Sequence, residues 1–169
     1  MDAQAKNALD QVKRLIFGED AELLRVHDVL GLTEKDLEAT YVSACRQLTA
    51  STFMRAAKTF AMLIVLDHDD GRYWRGLAVA MHRMKALPIA ETLYTITLRI
   101  DPSDLISRVF RAEVMAQQGR RTAAWLELEA TLELFKAHPM PEHAAYKQRA
   151  ETLAASIKST DASAAEVEK

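Results

Sequence analysis

Asp67-His68-Asp69-Asp70-Gly71 is the densest run of metal-ligating residue types in this chain, and cation binding is the chemistry it first suggests. A calcium loop needs oxygen ligands at alternate positions and a carboxylate at the twelfth. Counted from Asp67, the fifth position is Gly71 and the twelfth is Ala78, so the ligand set fails. Zinc requires several imidazoles or thiolates in reach, whereas His68 stands alone and Cys45 is the single cysteine. His27, His82, His138 and His143 lie singly in helices or loops, where a solvated or core-edge histidine is the expectation rather than a catalytic base. No phosphate-binding glycine loop, G-x-S-x-G elbow or H-E-x-x-H helix occurs. The residues predict no enzyme, no metal and no cofactor.

Composition narrows the partners. The 169 residues carry 22 basic and 24 acidic side chains, for a formal charge of -2, which argues against nucleic acid. A lone cysteine suits a reducing compartment. The opening MDAQAKNALDQVKRL has no apolar core or cleavage site of a secretory signal, and no stretch nears the roughly 20 apolar residues of a membrane span. A cytosolic protein without membrane insertion is expected.

The elements that hold these residues emerge from a period. Ala44, Ala78 and Ala112 are spaced by 34, as are Ala56, Ala90 and Ala124, and beside them run Phe60, Tyr94 and Leu128. Asp67 and Asp101 repeat the interval once more. Small residues where two helices cross set a close interhelical distance, and a large apolar residue fills the space toward the next helix. With Gly and Pro scarce and Ala, Leu, Glu, Arg and Lys abundant, the spacing predicts an all-α tetratricopeptide-repeat superhelix. Its three helix-turn-helix units fall at 37–70, 71–104 and 105–138, jointly 37–138.

The ends differ. Residues 1–36 form a separate N-terminal helical element, with Leu9, Val12 and Ile16, then Leu23, Val26 and Leu30, at helical spacing around Gly18. Its apolar stripe needs a partner, so a homodimer through the N-terminal helices is expected. Thr33 and Asp36 read as a capping box opening the first unit. After His138-Pro139-Met140-Pro141, the stripe Tyr146, Ala150, Leu153 and Ile157 predicts a capping helix within 139–158. Residues 159–169 lack bulky apolar groups apart from Val167 and read as a disordered tail.

In such a superhelix, positions 2, 5, 9 and 12 of each first helix face the concave side. They are Glu38, Tyr41, Cys45 and Leu48; Arg72, Arg75, Val79 and His82; and Ile106, Val109, Glu113 and Ala116. Only Arg72 and Arg75 are cationic among these inward arginine, lysine and asparagine candidates, too few for a clamp on a chain-terminal carboxylate. A groove for an extended peptide with apolar anchors is the expectation.

The run VLDHDDGRYWRGLAVAMHRM at 65–84 then carries a family resemblance. Leu66, Asp67, His68, Asp70, Arg72, Gly76 and Leu77 resemble the junction of the class II chaperones of bacterial type III secretion, and the order of parts matches over roughly residues 8–158. The resemblance implies a non-enzymatic protein of the bacterial cytoplasm that binds hydrophobic translocator proteins, keeping them soluble and separate before export. It also implies that Tyr41, Phe53, His68 and Tyr94 build pockets for a client segment with Pro and Leu anchors. With them the expected groove comprises Tyr41, Cys45, Leu48, Phe53, His68, Arg72, Arg75, Val79, His82, Tyr94 and Val109. On this reading Tyr41→Ala and Tyr94→Ala weaken client binding and leave the fold intact. The alternative is a tetratricopeptide scaffold in another assembly.

Overall fold

A computed structural model describes residues 26 to 167, and among them there are only helices and their connections. A short turn of helix, α1 (Val26–Val29), precedes three antiparallel helix pairs: α2 (Glu34–Thr49) with α3 (Phe53–Leu66), α4 (Gly71–Arg83) with α5 (Leu87–Ile100), and α6 (Leu105–Gln117) with α7 (Arg121–Ala137). A 3-10 turn at Pro141–His143 leads into α8 (Ala144–Val167). The first pair starts at Glu34, three residues ahead of the expected edge, because the Thr33 capping box is fully formed. Its reciprocal bonds run from the Thr33 amide to Asp36 Oδ2 at 2.9 Å and from the Asp36 amide to Thr33 Oγ1 at 3.3 Å.

The period resolves into packing. Both alanine triplets and Phe60, Tyr94 and Leu128 are fully buried. Leu63, Thr97 and Thr131 form a further triplet at the same spacing, also fully buried, in which two threonines are tolerated because their hydroxyls donate to the carbonyls of Leu93 and Glu127 one turn back. Asp67 and Asp101 recur because each ends a second helix and folds the chain into the next. Their carboxylates accept from the amides of Asp69 and Ser103, respectively.

Asp70 and Asp104 then cap α4 and α6, satisfying amides that a helix start leaves free. Gly76 has a different reason. A Cβ on it would stand 2.3 Å from the Phe60 ring, so glycine is what lets α4 lie directly on that ring.

The closing helix continues the stack. Ala150 is fully buried and takes the crossing position of Ala112, displaced by the longer α7 and its Pro-containing connection. With Ala154 and Ile157 it completes a core shared with Leu105, Val109, Leu128 and Phe135. Where the sequence predicts a tail from 159, the helix instead runs on to Val167. Ala162, Ala164, Ala165 and Glu166 favour helix by propensity, without needing a core to bury. The apolar stripe from Leu9 to Leu23 lies outside the described residues, and the expected N-terminal dimer contact with it.

Candidate peptide-binding groove

The first helices α2, α4 and α6 line one side of the stack, and three arginine–carboxylate pairs tie each to the next. Arg72 reaches from α4 to Glu38 on α2 at 3.1 Å while also gripping Asp70 at 2.8 Å. Arg75 on α4 meets Asp104, the cap of α6, at 2.8 Å. Glu113 on α6 accepts from Arg149 on α8, with one contact at 3.0 Å.

Asp104 is nearly buried and also accepts from Ser107 at 2.8 Å, so this carboxylate is satisfied on several sides. Burial pulls the Arg75 pKa down, but Asp104 and Tyr41 beside it outweigh burial and leave it raised.

Above this ladder opens a cavity of about 260 Å³. It gathers Tyr41, Cys45, Leu48, Arg72, Arg75 and Val79 of the expected set, with Ile106 of the inward register. Phe60, Gly76, Phe110 and Tyr146 complete its walls. The Tyr41 ring meets Phe60 edge-on at 6.1 Å and lies under the Arg72 guanidinium at 4.8 Å. Phe110 meets Tyr146 edge-on at 5.8 Å. Burial and the Cys45 thiol push the Tyr41 phenol up, so it remains a protonated donor. Flat aromatic walls with a few fixed polar groups suit apolar side chains on an extended chain.

A second cavity of about 300 Å³ adjoins the first, sharing Val79 and Phe110 as a common wall. His82 and Tyr94 are placed here, with Arg83, Lys85, Gln117 and Arg149. Burial lowers the His82 pKa, against the pull of Glu113 and the Gln117 contact at 2.9 Å, so the imidazole is neutral at pH 7.

Four expected residues stand differently from their sequence reading. Val109 is fully buried in the core that α8 completes, so it lies beneath the groove surface. Tyr94 is fully buried as well, stacked on Phe110 at 6.0 Å. Truncating it to alanine removes a core ring at about 3–5 kcal/mol, so Tyr94→Ala does not leave the fold untouched. Phe53 begins α3 and packs under Arg83 at 5.1 Å, outside both cavities. The His68 imidazole is solvent-exposed beside Asp69, and it is the His68 carbonyl that matters, accepting from the Trp74 indole at 2.8 Å.

Sequence reasoning missed Phe110, Tyr146 and Arg149. Phe110 occupies the repeat position of Gly76 and Val42, outside the inward register, yet it lines the groove cavity. Tyr146 and Arg149 escape the 34-residue rule since Ala150 follows Ala112 by 38. Reading α8 from Ala150 backwards would have found them.

Among the described residues, no group of three or more His, Cys, Asp or Glu is arranged to hold a metal ion, and no helix is long and apolar enough to cross a membrane.

No family model and no curated protein matches the chain by sequence. Solved structures do. The type III secretion chaperone SycD of Yersinia enterocolitica, bound to a peptide of the translocator YopD, is 26% identical with a TM-score of 0.70, covering 76% of this chain and 97% of that one. PcrH of Pseudomonas aeruginosa is 27% identical with a TM-score of 0.69, covering 75% and 95%. PcrH is also known in complex with the chaperone-binding regions of PopD and of PopB. A type III secretion complex from Aeromonas hydrophila covers 94% of this chain and 97% of its own, at 22% identity and a TM-score of 0.75, a likeness of fold alone. In its repeat stack the chain is similar to the class II translocator chaperones of type III secretion.

Proposed function

We propose that this protein is a chaperone of a bacterial type III secretion system, working in the cytoplasm without catalysis. It binds a hydrophobic translocator by an extended segment laid in the concave groove. The observation that carries the reading is the aromatic cavity between Tyr41 and Tyr146, open along the same face of a fold shared with chaperones solved with translocator peptides. Each apolar anchor buried there contributes at about 25 cal/mol per Å², enough to compete with client self-association while remaining reversible.

Pairing of two copies accords with SycD, which is known in an alternative dimer, and the N-terminal element is our candidate for the contact.

Cys45 supplies a built-in reporter, since it is the single thiol and lines the cavity. Co-expression with a translocator from the same secretion locus should keep that client soluble and co-purifying. Maleimide labelling of Cys45 should slow at least about tenfold when the client's N-terminal segment is added, and Tyr41→Ala should lose about tenfold in affinity while still unfolding cooperatively at a somewhat lower temperature. Unaltered labelling with a bound client places the segment elsewhere. No soluble complex with any translocator of the locus sinks the chaperone reading.

A further inference from the structure

The second cavity has a chemistry that apolar anchors do not use. Three cations, Arg83, Lys85 and Arg149, line it, and no carboxylate does, in a chain whose overall charge is -2. Arg149 is committed to Glu113. Arg83 packs on the Phe53 ring and the Lys85 ammonium donates to the neutral Gln117 amide at 3.3 Å, so neither is matched to a carboxylate among the described residues.

At the inner wall stands Tyr94. Its side chain is fully buried, yet its hydroxyl has no hydrogen-bond partner among the described residues. A buried unsatisfied hydroxyl is costly, and a ligand oxygen would satisfy it once the wall opens enough to admit one. Burial, chiefly, and the charge of Glu113 push the phenol far up, so it is a permanent donor. His82 beside it is neutral and adds no competing charge.

We propose that this cavity reads a carboxylate on the same extended client segment, held between Arg83 and Lys85 and accepting from the Tyr94 hydroxyl. The inference rests on the chaperone reading above and adds a chemical requirement to it. Val79 and Phe110 wall both cavities, so a chain with an apolar anchor in the first needs only a few residues, at about 3.3 Å each, to reach the second. The inward register offers only Arg72 and Arg75, both tied to carboxylates of the chain. The unmatched cations lie instead at the end of α4 and in the α4–α5 turn, where Lys85 adopts φ 65°. A carboxylate can come from an Asp or Glu side chain or from a chain end, and these sources are separable.

The test uses the full chain and an array of extended peptides with Pro and Leu anchors. Each is made in Glu and Gln forms at the flanking positions, with free or amidated ends, and read by fluorescence anisotropy. A Glu form should bind about tenfold tighter than its Gln form, with the preference shrinking at high salt. The double variant Arg83→Gln/Lys85→Asn should erase that preference while leaving Gln-form affinity unchanged, and Tyr94→Phe should lose part of it. If only a free end matters, the source is a chain terminus and the subsite stands. Equal binding of every Glu, Gln and free-ended form to wild type overturns the subsite and leaves the groove reading intact. Binding of none, with Cys45 also unprotected by a co-expressed client, overturns both.

Discussion

At Gly76 the absence of a single carbon decides how closely two repeats approach. The Phe60 ring is fully buried and cannot swing aside, and an added methyl would meet its edge at 2.3 Å. Gly76→Ala should therefore destabilise the fold by about 1–3 kcal/mol, the cost of overpacking, although alanine is the better helix former. Phe60→Leu introduced alongside should recover part of the loss, and thermal melts of the two single variants and the double variant measure the coupling. Were Gly76→Ala to raise the melting temperature, helix propensity would outweigh the clash and α4 would have room to shift. The same glycine sits in the junction stretch legible in the sequence, but its reason was not: the 34-residue series marks Phe60 as large and says nothing of what it rests against.

Helices α2, α4, α6 and α8 are held in order along the groove by the three arginine–carboxylate pairs. The Arg72 pair is exposed and contributes little, about 0–1 kcal/mol. The Arg75–Asp104 pair is the protected one, with the carboxylate nearly buried. Arg75→Gln should cost about 3 kcal/mol, because Asp104 is left buried without its countercharge. Arg72→Gln should cost less than about 1 kcal/mol, and denaturant midpoints at matched slope compare the two. Equal losses would assign the joint between units to apolar contact alone.

At this scale the sequence was most readable where residues repeat. The Ala triplets and the Asp67 and Asp101 turns fall where packing and Asx turns require them. The Arg75–Asp104 contact joins two positions that belong to no repeating pair, since the equivalents of Arg75 are Tyr41 and Val109. No period announces it. The extension of α8 to Val167 was missed for a related reason, as helix propensity without an apolar stripe leaves no pattern to read.

For the molecule as a whole, α8 is both the end of the core and a wall of the groove. Ala150 and Ile157 bury against Leu128 and Phe135 while Tyr146 lines the first cavity and Arg149 the second. Ending the chain at residue 143 should uncover the third unit, lower the stability by several kcal/mol and remove peptide binding. Hydrogen exchange would find the loss greatest in α6 and α7. Retained protection there would make α8 an appendage. Since N-terminal parts of a chain fold first during synthesis, the wall carrying Tyr146 arrives last. On the proposed reading, client capture is then a property of the finished polypeptide: a nascent copy still attached to its ribosome lacks the wall that Tyr146 and Arg149 supply, and client molecules made nearby are left to copies already released.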